Sequence, residues 1–231
     1  MKPPEEIKLP DFLFPYKTES LVRVGNNLDG SYLIDKDSVL NSKLLISIGV
    51  GWSFDFEKNF LIINNIPLIA FDGSAGIIST LKKIKFRIKQ IVIKKEKKYF
   101  IDSLYFLTYL FKFYLFFKNF RNTRIKRNYR KFVKKFVGSK ETELSISEII
   151  KKFDPNNKFD KIFFKIDIEG GEYAILKDLI YHQDLISGLV IEFHDTNKHL
   201  NEIKEFIDLL NLNLIHTHIN NVGGITSEGY P

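Results

Sequence analysis

A chain of 231 residues, 44% hydrophobic and 27% charged, has the composition of an ordinary soluble protein and the length of one α/β domain with a small insertion. It contains no cysteine, which excludes disulfides, thiolate metal sites and cysteine nucleophiles. The net charge of +7 hides a split: residues 82–140 hold twenty Lys or Arg against two acids, Glu96 and Asp102, and the remainder of the chain is net acidic.

In chain order, residues 1–20 are punctuated by proline and read as a loosely docked arm on a single domain spanning 1–231. The start is polar and acidic, without the basic and apolar regions of a signal peptide, so a cytoplasmic protein is expected. No stretch reaches the roughly 18 uncharged apolar residues of a spanning helix. Residues 21–34 read as a hairpin or loop turning at Asp29-Gly30. The apolar run at 43–48 is a strand buried on both faces, followed by a glycine turn and a helix over 54–64. A second strand at 67–71 ends at Asp72-Gly73, and a helix over 74–83 follows.

Residues 84–135 form a basic, aromatic insertion. Its stretch 104–117 is apolar almost all round, and a polybasic stretch follows at 118–135. Such a helix packs on the sheet or on a partner chain, or lies on an anionic membrane surface. The alternation then resumes. Strands are expected at 161–168, 188–193 and 214–219, and helices at 169–179 and 200–211. Strands alternating with helices imply a Rossmann-like, doubly wound, mostly parallel sheet, whose ligands sit outside the carboxyl ends of the strands. Gly49, Asp72, Asp167 and His194 all fall at such ends.

Gly49-Val-Gly51 suits a nucleotide-type cofactor, because missing side chains let a ligand approach the backbone; a tight strand-to-helix turn would use the same residues. Asp72, with Gly73 beside it, ends the second strand at a spacing suited to a ribose-binding acid. Phe54 stands where a dinucleotide fingerprint has its third glycine, which favours S-adenosylmethionine over NAD. In Lys165-Ile-Asp-Ile-Glu-Gly-Gly-Glu-Tyr173, the carboxylates of Asp167, Glu169 and Glu172 gather at one strand end, where they repel one another unless they bind something or cap a helix. His194 follows the next strand and suits a general base, with a structural histidine as the alternative. His216 and His218, with Asn220 and Asn221, suit hydrogen bonding to a substrate; no metal site is expected.

Together these motifs resemble the FkbM-type methyltransferase family. The likeness rests on Asp-Ile-Glu-Gly-Gly-Glu at 167–172, Glu-Phe-His at 192–194 and the His-x-His-x-Asn-Asn run at 216–221. Arg23-Val-Gly with Asp29-Gly-Ser-Tyr32, and the Gly-Val-Gly turn ahead of Phe56-Glu57, resemble a bacterial branch concerned with cell-surface polysaccharide. The resemblance implies a class I methyltransferase sheet that uses S-adenosylmethionine to methylate a hydroxyl of a sugar, a nucleotide-sugar or a lipid-linked glycan. The chain stops at Pro231, where that family continues into a final strand, so a missing last strand is expected. On this reading Gly49, Gly51, Asp72 and Gly73 hold the cofactor. His194 acts as base, with Asp167 and Glu169 orienting it or the acceptor. Glu172, His216, His218, Asn220 and Asn221 contact the substrate. Two other readings stand beside it: an RNA methyltransferase using the basic segment, although no nucleic-acid-binding motif is present and nucleic acid is not the expected partner, and a non-catalytic protein bound at the inner membrane surface.

Overall fold

The computed structural model describes residues 9–26, 31–94, 97–117, 129–154, 156 and 158–218. In chain order these form β1 (Leu21–Val24), β2 (Tyr32–Asp35), α1 (Lys36–Asn41), β3 (Leu44–Ile48), α2 (Asp55–Ile63), β4 (Leu68–Phe71) and α3 (Ile77–Lys94). Then come α4 (Lys97–Phe117), β5 (Arg130–Val133), α5 (Ile146–Phe153), β6 (Ile162–Ile166), α6 (Leu176–Tyr181), β7 (Ile186–Ile191) and α7 (Thr196–Leu209).

Five strands make one parallel sheet in the order β5-β4-β3-β6-β7. The chain winds outward from β3 through β4 to β5, then crosses back to β6 on the other side of β3. The strand order therefore reverses between β3 and β6, and a crevice opens there at their carboxyl ends. β3, β4 and β6 are buried at every position, as parallel strands covered on both faces must be.

Alternate residues build two cores. Leu44, Ile46, Ile48, Ile69, Phe71, Phe164 and Ile166 face α5, α6 and α7, where Ile149, Leu179 and Phe206 pack against them. Leu45, Leu68, Ala70 and Phe163 face the other way, toward Val39 of α1, Phe56 and Phe60 of α2, and Tyr109, Phe113 and Phe117 of α4. The β1-β2 hairpin closes this second core with Val24 and Ile34. Its expected turn at Asp29-Gly30 lies outside the described residues.

Two local devices fix helix starts. The Asp35 carboxylate accepts from Ser38 N at 2.7 Å and caps α1. Ser145 and Glu148 form a reciprocal capping box at the start of α5.

Most expected elements recur; α1, α5 and β5 lie beyond the expected set, and other expectations differ in place or extent. The helix expected over 74–83 starts at Ile77 and runs to Lys94. The boundaries 84 and 135 fall within α3 and just past β5, so this segment supplies both a layer of the second core and an edge strand of the sheet. The strand expected at 214–219 is irregular over its described residues, 214–218, because its hydrogen bonds go to the N-terminal arm. Tyr16 N donates to Leu214 O at 2.7 Å, and Thr217 Oγ1 donates to Leu13 O at 2.8 Å. Among the described residues the sheet ends at β7.

Candidate active site

The loop leaving β3 depends on glycine. Gly49 has φ of +78°, and a Cβ there would lie 1.6 Å from Asp167 O. No side chain fits between these two strand ends. Gly51, at φ +61°, differs: a Cβ there would meet nothing within 4 Å, so open space lies over the loop. Gly51 N donates to Asp72 Oδ2 at 2.7 Å. The other oxygen of Asp72 accepts from Ser74 N, Ser74 Oγ and Ala75 N at 2.7–2.8 Å. Asp72 therefore ties the loops after β3 and β4 together, and its Oδ2 keeps one lone-pair direction for a ligand hydroxyl. Gly73 has a packing reason for being glycine, because a Cβ would run into the Phe136 ring at 2.4 Å.

Beneath the loop lies a buried polar group that sequence reasoning missed. Lys165, 4% exposed, donates to Gly49 O at 2.7 Å and pairs with Asp167 Oδ2 at 3.1 Å. Glu57, on the buried face of α2, accepts from Ser47 Oγ. Burial pushes its carboxyl above the ordinary range, opposed by the Lys165 charge. Its second oxygen has no hydrogen-bond partner. Both residues carry a sequence signal: each is a charge on a face otherwise apolar, Lys165 within Ile-Phe-Phe-Lys-Ile and Glu57 beside Phe60 and Leu61.

Across the crevice, the loops after β6 and β7 meet at His194. Glu172 is expected at the substrate, but it is fully buried and reaches the crevice only through His194. Its Oε1 accepts from His194 N at 2.6 Å and faces His194 Nδ1 at 2.9 Å, while Oε2 accepts from Gly170 N at 2.9 Å. Burial works against the Glu172 charge, yet the bonds to His194 hold its carboxyl below the ordinary value. The same hydrogen bond raises His194 to about 9, against the pull of burial. With Nδ1 held by Glu172, Nε2 is left toward the opening, 3.5 Å from the exposed Glu169 carboxylate. Tyr173 fixes the loop by donating to His194 O. Two non-glycine residues with positive φ, Glu169 at +54° and Asp195 at +51°, flank this group, as strained backbone often does at functional sites.

Asp167, Glu192 and His194 each offer a ligand atom within 4.8 Å of the others, the one such group among the described residues that could hold a metal. The Tyr32 hydroxyl already stands between the two acids, 2.8 Å from Glu192 Oε2 and 3.5 Å from Asp167 Oδ2. The group thus presents acceptors, a hydroxyl and an imidazole to one crevice. Tyr32 arrives from the distant hairpin, with no local signal for its position. His216 and His218 stack with ring centroids 6.3 Å apart on the irregular 213–218 segment. Burial, then the charges of His218 and Arg23, lower His216. Asn220 and Asn221 lie outside the described residues.

A second group missed from sequence flanks the glycine loop. The Tyr109 hydroxyl donates to Gly51 O at 3.3 Å, the Tyr109 ring meets Trp52 edge-on at 5.4 Å, and Lys83 Nζ sits 3.9 Å over the Trp52 ring.

A doubly wound sheet, with an acid-anchored glycine loop after its central strand and a histidine–carboxylate cluster across the switch point, defines a Rossmann-like fold with a candidate site at the carboxyl ends of its strands. The family model described as the Methyltransferase FkbM domain matches residues 78–216, more than half of the chain, and the chain belongs to that family. No curated protein and no solved structure matches it.

Proposed function

We propose that this methyltransferase uses S-adenosylmethionine to methylate a hydroxyl of a sugar or glycoconjugate in the building of cell-surface polysaccharide. The observation that carries this reading is His194, oriented by a fully buried carboxylate and set among Asp167, Glu169, Glu192 and Tyr32 beside the open glycine loop. That cluster suits an acceptor rich in hydroxyls. Carboxylates accept hydrogen bonds from several sugar hydroxyls at once, and an imidazole takes the proton from one of them.

The residues fit the cofactor. Gly51 leaves room over the loop, and Asp72 keeps an acceptor direction for a ribose hydroxyl. When bound, S-adenosylmethionine supplies the electrophilic methyl group. His194 accepts the acceptor's proton at Nε2, while Glu172 keeps the Nδ1 proton in place and stabilises the imidazolium that forms. Asp167 and Glu192 align the acceptor, and Lys165 holds Asp167 in place.

Calorimetry with S-adenosylhomocysteine, followed by transfer assays on nucleotide sugars, tests the assignment. Wild type should bind, Asp72→Ala should bind at least tenfold more weakly, and His194→Ala should bind normally yet lose about 10²–10⁴ in transfer rate. Absence of heat with wild type, together with an unchanged thermal midpoint, would overturn the cofactor assignment. Near-normal transfer by His194→Ala would make that histidine structural.

A further inference from the structure

The pair α3 and α4 has an outer surface that none of the described residues covers. The helices run antiparallel: Arg87 Nε lies 3.4 Å from Asp102 Oδ2, Arg87 stacks over Tyr99, and Lys83 reaches over Phe106. One face of α4 belongs to the core, through Tyr109, Phe113 and Phe117. The opposite face is apolar too. Phe100, Leu104, Leu107, Phe111 and Tyr114 recur every three or four residues and form one stripe, each between 49% and 64% exposed. Residues Lys98–Phe117 are long and apolar enough to cross a membrane by length and composition, yet only 28% of the window is buried. Spanning is incompatible with the inner face, where Phe113 and Phe117 pack on Phe132 and Phe54. The helix is therefore held flat against the body, with an aromatic stripe turned outward.

The charge around this stripe has one sign. Lys82, Lys83, Lys85 and Lys89 are exposed along α3, and Lys112 is exposed on α4. The lone acid described on α4, Asp102, is paired with Arg87. A second copy of the chain would bring the same positive charge to the contact. An anionic bilayer would bring the complement, and aromatic rings beside lysines suit its headgroup layer.

We propose that the outer face of the α3-α4 pair is an interfacial membrane-docking surface for anionic phospholipid, with α4 lying in the plane of the bilayer. The inner face of the same helix touches the glycine loop through Tyr109 and Trp52, so docking sets the candidate active site at the lipid surface. A lipid-linked acceptor would be met there at raised local concentration. The docking itself does not depend on the methyl-transfer reading, since it rests on α3 and α4 alone.

The test is co-sedimentation of the full chain with vesicles of phosphatidylcholine alone and of phosphatidylcholine mixed with phosphatidylglycerol, at low and high salt. Two variants accompany it: Phe100→Ser/Leu104→Ser/Phe111→Ser, and Lys82→Gln/Lys85→Gln/Lys89→Gln. Wild type should sediment with the anionic vesicles alone, and salt should weaken the binding. Three lost charges should lower the partition coefficient on the order of a hundredfold at low salt. The aromatic variant should stay in the supernatant while keeping its melting transition and S-adenosylhomocysteine affinity, which separates failure to dock from failure to fold. Wild type remaining in solution with every vesicle would overturn the proposal. So would undiminished binding by the aromatic variant, or a vesicle-free dimer that this variant dissolves, which would make the stripe a contact between copies.

Discussion

Replacing Glu172 by Gln isolates the interaction that sets the character of His194. In wild type, the 2.9 Å contact to Glu172 Oε1 is the largest influence raising the imidazole from 6.5 to about 9. At pH 7.5 a base with that pKa is neutral in only about 3% of molecules, so transfer should climb nearly tenfold per pH unit up to about 9. A glutamine at 172 keeps an oxygen for His194 N and Nδ1 but carries no charge, so the imidazole should fall back toward 6.5. Stability follows with a definite sign. A group whose folded pKa is raised stabilises the fold fully below its unfolded pKa and loses that contribution as pH rises through the folded value. Here the window runs from about 6.5 to 9. A shift of this size corresponds to roughly 3 kcal/mol, discounted to about 2 because the His194 side chain is 27% exposed. Glu172→Gln should therefore be less stable than wild type at pH 6, with the gap narrowing above pH 9. A remnant of about 1 kcal/mol should persist at all pH, because the new amide would point a donor at Gly170 N. Proton NMR of the imidazole, followed from pH 5 to 10 in both proteins beside thermal melts, measures each part. A wild-type midpoint near 6.5, or a midpoint that Glu172→Gln leaves in place, would refute the coupling.

Gly49→Ala should abolish folding or cost several kcal/mol, because its Cβ would collide with Asp167 O and its φ of +78° disfavours any side chain; a melting midpoint near wild type would show that β3 and β6 can part. Glu57→Gln should raise the thermal midpoint at pH 8 and leave it nearly unchanged at pH 4, because burial raises the Glu57 carboxyl and makes its charged form costly only at the higher pH. A loss at both pH values would show instead that the Lys165 charge needs Glu57. Ser145→Ala should cost about 1 kcal/mol by removing the capping box of α5, read by denaturant titration.

The parallel sheet was legible because its inner strands are unbroken apolar runs and both glycine turns follow them directly. β3, β4, β6 and β7 lie within two residues of where hydrophobic pattern sets them. β5 was not legible. Arg130-Lys-Phe-Val is short, and two of its four residues are basic, a composition that suits an edge strand and hides it inside a basic stretch. The helix α5 carried its signal in Ser145-x-x-Glu148 and the spacing of Ile146, Ile149, Ile150 and Phe153, a pattern obscured by the polar residues around it. The converse error lies at 214–218. There a strand-like alternation is used to hold the N-terminal arm, and a contact some two hundred residues away in sequence leaves no local trace. At the site, the motif residues were readable and their division of labour was not. Burial decides that division, and burial depends on how two loops from different strands meet.

That division explains why so many acids can share one sheet edge. Asp72 and Glu172 are the two with the least exposure, and each accepts three or more hydrogen bonds from the chain, chiefly from backbone N–H groups. Their negative charge is met by oriented amide dipoles and, for Glu172, by His194 itself. Asp167, Glu169 and Glu192 instead face the crevice, with Lys165, Tyr32 and His194 as their nearest counterparts. Removing an inner acid would strand several buried donors and disturb two loops at once, whereas removing the exposed Glu169 would leave the fold intact and change what the crevice can hold. A cluster that looks like one repulsive patch in the sequence is thus two layers, an inner one that builds the loops and an outer one that faces the crevice. His194 is the side chain bonded to the first and facing the second.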